Sequence, residues 1–182
     1  MVYCRGVNYY AIQVRPRGEG RFMRLFDALH PQARPLFSVH FPRRTLSVRR
    51  KGVVRPSVLA VFPGYLFVEA EQQDVAAESR LFRRTEGFRR FLPSNRDIKP
   101  LAGRDLELVL HFVKKTGLVA GISRVRFDEN SRITVTDGPL RGLEGMIVKV
   151  DKRKRRAKVR LSLYEEAFTV DLAFEVMEER AP

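Results

Sequence analysis

Apolar and polar positions change rhythm repeatedly along this chain, and each change outlines an element. Residues 9–14, YYAIQV, read as a strand. Phe22, Leu25, Phe26 and Leu29 then recur at helical spacing, the inner stripe of a first helix that Pro31 and Pro35 bring to an end. Residues 45–48 and 53–61 are strand-like runs on either side of Arg49-Arg50-Lys51-Gly52, a basic hairpin turn with glycine at its special position. The clearest strand is residues 65–69, where Leu66 and Val68 alternate with Tyr65 and Phe67. A second helix is expected over residues 76–84 and a strand over 88–92. Leu106, Val109, Leu110 and Val113 mark a last helix, capped by Gly117 with Lys114 and Lys115 at its negative end. The order β-α-β-β-β-α-β-α predicts a helix-backed antiparallel sheet, an α+β arrangement.

The pattern changes beyond residue 116. Residues 117–130 are polar and irregular, with a few apolar positions, and predict a linker. From Ile133 to Asp171 short apolar runs alternate with turn chemistry, in Asp137-Gly138-Pro139 and Leu140-Arg141-Gly142 above all. Residues 146–148 and 159–163 are strands joined across residues 151–156. This describes a small SH3-like β-barrel. Ile133, Val135, Ile147, Val148, Val150, Val159 and Val170 are β-branched, which favours a permanent barrel over a helical alternative. The expected organisation is a domain over residues 1–116, a linker over 117–130 and a second domain over 131–182.

Charge sharpens this picture. The 182 residues carry 35 Lys and Arg against 21 Asp and Glu, a formal net charge of +14. Such a surplus points to nucleic acid before any membrane, and no apolar run approaches the length of a bilayer span. Residues 1–131 hold 24 basic and 12 acidic side chains, whereas residues 132–182 hold 11 and 9. The C-terminal part is therefore nearly neutral but polarised, basic from Lys149 to Arg160 and acidic from Glu165 onward. Lys152, Arg153, Lys154, Arg155 and Arg156 form one unbroken row at a hairpin tip. Such a row needs water or a polyanion.

Catalytic chemistry has little to stand on. Cys4 is alone, which excludes an internal disulfide or a cysteine metal cluster, and no base accompanies it. A reducing, cytoplasmic setting is expected, with no signal peptide in residues 1–10. His30, His40 and His111 are scattered, with His111 expected at a helix surface or in packing. Asp105 and Glu107 stand two apart on a helix and diverge, so with Asp97 they make no metal site. No catalytic residue, metal or cofactor is expected.

Two motifs carry a resemblance. Phe62-Pro63-Gly64-Tyr65-Leu66-Phe67-Val68-Glu69, followed by Thr85-Glu86-Gly87-Phe88, resembles the NGN domain of NusG-type transcription factors. Thr136-Asp137-Gly138-Pro139-Leu140-Arg141-Gly142-Leu143-Glu144-Gly145, with Val150-Asp151 after it, resembles their KOW domain. The resemblance implies that the first domain binds the clamp helices of RNA polymerase and bridges its DNA channel. It places Phe62, Pro63, Tyr65 and Phe67 on the polymerase-facing strand, with Tyr10 on the same surface, about half of the strand residues being expected to face the domain's own core. It places Arg15, Arg17, Arg21 and Arg24 over DNA at the upstream edge of the bubble, as phosphate contacts. Arg49, Arg50 and Lys51 are expected to reach DNA in a similar way.

The barrel departs from the family's housekeeping pattern at one loop. Where a Phe-Gly-Arg-like sequence contacts Rho or a ribosomal protein in those members, this chain has Tyr164-Glu165-Glu166. Reversed charge across a contact disfavours binding. The row from Lys152 to Arg156 instead resembles the specialised branch that includes the LoaP antiterminators, which implies that the KOW domain binds an RNA hairpin in a leader transcript. The expected function is antitermination and processive elongation by a monomer on RNA polymerase. The alternative is a general elongation factor coupling polymerase to Rho or the ribosome.

Overall fold

The computed structural model describes residues 6–177; Cys4 lies outside them. The elements run β1 (Val7–Val14), α1 (Glu19–Leu29), β2 (Ser38–His40), β3 (Arg43–Arg50), β4 (Val53–Ala60), β5 (Tyr65–Glu71), α2 (Gln72–Arg84), β6 (Phe88–Phe91) and α3 (Gly103–Leu110). A wide helical turn (His111–Lys115) is followed by β7 (Val119–Ala120), β8 (Ser123–Phe127), β9 (Ile133–Asp137), β10 (Ile147–Asp151), β11 (Arg156–Leu163) and β12 (Glu166–Val176). The fold is α+β. It has two compact units, residues 6–41 with 62–110 and residues 42–61 with 111–177.

The first unit is a four-stranded sheet in the order β2-β5-β1-β6. The antiparallel register sets Tyr10 opposite Val68 and Ile12 opposite Leu66, so these four share one face. Phe22 and Phe26 of α1, and Val75 and Phe82 of α2, join them in one buried cluster. Phe82 is its hub, stacked on Phe26 at 4.3 Å between ring centres and edge-on to Phe37 and Phe91 at 5.1 and 5.5 Å. Each buried ring contributes on the order of a few kcal/mol.

The second unit holds a five-stranded sheet, β10-β11-β12-β8-β9, and a three-stranded one, β4-β3-β7. Ala157, Val159, Leu161 and Leu163 of β11 face inward with Val170, Leu172 and Phe174 of β12, each set at the two-residue period of a half-buried strand. Two differences from the expected organisation stand out. The stretch 117–130, expected as a linker, contains β7 and β8, and β8 runs parallel to β12 with Ser123 opposite Phe174. The β3–β4 hairpin groups with the second unit, and its parallel partner is β7.

Helix α2 begins at Gln72, four positions before the expected start at residue 76. Among the described residues no helix is long and apolar enough to cross a membrane, and no group of His, Cys, Asp and Glu is arranged to hold a metal.

Candidate nucleic-acid and partner surfaces

Both N-terminal motifs meet at the end of β1. Gly64 adopts φ +84, and a Cβ there would lie 3.5 Å from both Pro16 Cγ and the Val14 carbonyl oxygen. Its carbonyl accepts from the Val14 N–H (2.8 Å), and its own N–H donates to Glu19 Oε1 (2.6 Å). Glu19 is buried at the first position of α1, so its carboxylate is committed to this loop. Gly87, at φ +94, accepts from the Arg15 N–H at 2.8 Å. The glycines of the two motifs thus clasp the exit of β1. Glu19 was not foreseen as part of this site; its signal is an acidic residue at a helix start following a Pro-Arg-Gly turn.

The aromatic residues expected to face the polymerase divide. Tyr10 is 1% exposed and belongs to the core beneath α1 and α2, because its register partner is Val68. Burial pushes its phenol above the ordinary value, with the Asn8 side chain opposing. Phe62 and Phe67 are also buried, edge-on to each other at 5.1 Å. Pro63 is exposed and Tyr65 half-buried. The patch expected from all five therefore presents Pro63 and part of Tyr65. On the sheet face opposite the core cluster, His40 Nε2 lies 2.7 Å from Glu69 Oε2, with the Tyr9 ring 6.0 Å from the His40 ring.

Arg15, Arg17, Arg21 and Arg24 are all exposed. Arg17 takes φ +63 in the turn that leads into α1, and Arg21 and Arg24 follow three apart on the helix. Arg21 is paired with Glu86 at 3.0 Å, both side chains well exposed, so this bond is weak and exchangeable. The four cations are gathered beside the motif loops.

In the second unit, Asp137-Gly138-Pro139-Leu140 is held by two buried side chains. A Cβ on Gly138 would fall 2.6 Å from Ser123 Cα, which glycine alone permits. Ser123 Oγ accepts from the Leu140 N–H at 2.9 Å. His111 Nε2 lies 2.8 Å from the Pro139 carbonyl, an acceptor, so this nitrogen carries the proton. Burial lowers the His111 pKa, the Pro139 carbonyl opposing. The expected helix-surface or packing histidine is therefore a buttress of this loop. The wide turn that aims it closes where Thr116 N–H reaches the His111 carbonyl at 3.0 Å.

The basic row lies between β10 and β11. Lys152, Arg153, Lys154 and Arg155 are exposed. Asp151 organises the turn, its Oδ1 accepting from the Lys154 N–H at 2.8 Å, and this bond, ahead of the surrounding cations, holds its carboxyl below the usual carboxylate range. Lys152 Nζ sits 4.1 Å above the Phe127 ring. Arg156 is different. It is half-buried, donates to the Ser47 carbonyl and lies 4.0 Å from Asp171, so it serves the fold where the row was expected to be uniformly free. Arg44, from the same hairpin as Ser47, donates through Nε to the Asp171 carbonyl at 2.7 Å; burial pulls its guanidinium below the ordinary value.

A family model described as transcription termination factor nusG matches residues 7–110, more than half of the chain. The chain belongs to the NusG family. The transcription termination/antitermination protein NusG of Yersinia pestis is 26% identical over 176 residues, covering 94% of this chain and 96% of its own. The NusG protein of Buchnera aphidicola is 27% identical over 142 residues, 78% of this chain and 77% of its own. A solved structure of Thermotoga maritima NusG covers 92% of this chain and 94% of its own with a TM-score of 0.52 at 16% identity, a shared fold. The chain is thus a NusG-type transcription termination/antitermination factor. The NusG match holds both N-terminal motifs and the four arginines beside them, and the basic turn lies beyond its last residue.

Proposed function

We propose that this NusG-type factor rides on elongating RNA polymerase through its first unit and binds leader RNA through the β10–β11 turn, promoting antitermination. The observation that carries the RNA reading is the exposure of four consecutive cations, Lys152 to Arg155, on a turn fixed by Asp151. Four exposed cations on a hydrogen-bonded turn suit phosphates, and double-stranded RNA is recognised mainly by shape and phosphate contacts. Pro63 and Tyr65 offer the accessible part of the polymerase-facing patch, and Arg15, Arg17, Arg21 and Arg24 the contacts to DNA at the upstream edge of the bubble. Transcription in vitro across a terminator, with and without an upstream leader hairpin, tests this. Readthrough that depends on the leader and disappears when Lys152 to Arg155 are replaced by Ala supports it; readthrough indifferent to the leader sinks it.

One observation favours a second reading, a general factor coupling polymerase to Rho or the ribosome. The Yersinia relative, named for both termination and antitermination, aligns over 94% of this chain. Preference of the protein for Rho or a ribosomal protein over leader RNA in a pull-down would establish that reading instead.

A further inference from the structure

Beside the basic turn, the small β domain carries a pocket of about 190 Å³ lined by Lys149, Asp151, Lys154, Arg156, Lys158 and Asp171. Four of these side chains are cationic and two anionic. The carboxylates leave the cations only partly neutralised. Asp151 turns one oxygen to the Lys154 N–H at 2.8 Å, and the other is 3.8 Å from Lys154 Nζ. Asp171 stands 3.6 Å from Lys158 Nζ and 4.0 Å from the Arg156 guanidinium, both longer than a good hydrogen bond. Lys149 has no carboxylate within 4.0 Å among the ion pairs of the described residues, its charge reaching Asp151 from farther off. It lies directly opposite Lys158 in the β10–β11 ladder, and Lys158 faces Asp171 on its other side. Like charges facing each other across a ladder disfavour the pairing unless something neutralises them.

We infer that this pocket is a binding site for a single phosphate group. A tetrahedral oxyanion between Lys149 and Lys158 relieves their repulsion and gives three ammonium groups, with Lys154, a shared acceptor. Arg156 forms a fixed wall, because its guanidinium already donates to the Ser47 carbonyl. The phosphate comes from the RNA backbone; that source rests on the RNA reading above, whereas the pocket does not. A free phosphate or nucleotide shares the same chemistry. With RNA as ligand, the turn grips the strand from outside while the pocket sets its register one phosphate at a time.

The test uses the full chain and two ligands. Inorganic phosphate is titrated at constant ionic strength while backbone amides are followed by NMR, and RNA-hairpin affinity is measured against salt. The wild type and Arg153→Ala show saturable shifts at residues 149–158, and Lys149→Ala/Lys158→Ala does not. For RNA, the double variant lowers the salt slope by about 0.7 to 0.9, one phosphate's worth, where two independent contacts would lower it by twice that. If the alanine pair perturbs the sheet, Lys149→Gln/Lys158→Gln keeps the side-chain stems and gives the same readout. Absence of saturable shifts in the wild type overturns the pocket even where RNA binds. A loss of two phosphates' worth of slope overturns the shared seat. Saturable phosphate binding without RNA binding supports the pocket, reassigns it to a free phosphate ligand and removes the RNA reading.

Discussion

Strand β11 carries opposite charge at its two ends. Before Arg156 the chain turns through Lys152 to Arg155, and after Leu163 it turns through Tyr164 and Glu165. Both turns place residues other than glycine in the left-handed region, Arg155 at φ 51 and Tyr164 and Glu165 at φ 49 and 66. Glycine or asparagine would relax the backbone at each of these positions. A guanidinium stands at one end and a carboxylate at the other, each at a conformational cost of about 1–2 kcal/mol relative to an unstrained residue. What the two turns share is geometry; what separates them is charge. The lesson is that one backbone solution at the two tips carries opposite charges, so charge and turn geometry can be varied separately there.

Emptying one end of the strand has the largest expected effect. Replacing Lys152, Arg153, Lys154 and Arg155 by Ala is expected to lower RNA affinity on the order of a hundredfold or more near physiological salt, and to flatten the salt slope by about 3. Glu165→Ala, at the other end, leaves RNA affinity within about twofold, as expected of an exposed charge outside the contact. Filter binding across a salt series reads both. Equal losses from the two ends would dissolve the distinction.

A different substitution removes the frame that carries both turns. Gly138→Ala pushes a methyl onto the Ser123 backbone and requires a left-handed alanine, so the domain is expected to lose about 3 kcal/mol or more. Denaturant unfolding followed by circular dichroism measures it. Should the variant unfold like the wild type, the close approach at Gly138 has been misjudged.

Acidity acts on the same loop more gently. His111 is buried and neutral with its pKa depressed, so the unfolded chain takes up a proton before the folded one does. The stability contributed by the neutral ring is complete above the unfolded pKa of about 6.5. It declines as pH falls below that value and is lost once pH has passed through the lower folded pKa. His111→Gln, which retains an N–H donor, is expected to remove this part of the pH dependence, which sets in as pH falls below about 6.5. Thermal melts of both proteins as pH is lowered decide the matter.

The smallest effect separates stability from binding at a single position. Arg155→Gly relaxes the turn and is expected to stabilise the domain by about 1 kcal/mol, while costing a few-fold in RNA affinity. A variant that is less stable, or that binds RNA unchanged, would show that the arginine serves the turn itself.

Much of this architecture was legible in the sequence because it is locally encoded. The strand over residues 65–69, the basic turn before Gly52 and the glycines of both motifs announce themselves within a few residues. Elements that depend on distant partners did not. Strand β8 alternates polar and apolar residues over only five positions inside a polar stretch, and its place in the sheet comes from β12, about fifty positions later. Short β2 likewise depends on β5. At the candidate sites the same rule holds. Exposure of Lys152 to Arg155 follows from a charge run, but the commitment of Arg156 to Ser47 spans 109 positions and no local pattern reports it. The family resemblance places Tyr10 on the polymerase-facing surface, whereas its face is decided by register with Val68.

The bond between Glu19 and Gly64 has a mechanical consequence. The carboxylate belongs to the first residue of the helix that bears Arg21 and Arg24, and its acceptor bond ends on the loop that displays Pro63. Removing that carboxylate would therefore release the start of the helix and the motif loop together. One buried side chain thus holds two neighbouring exposed segments in place.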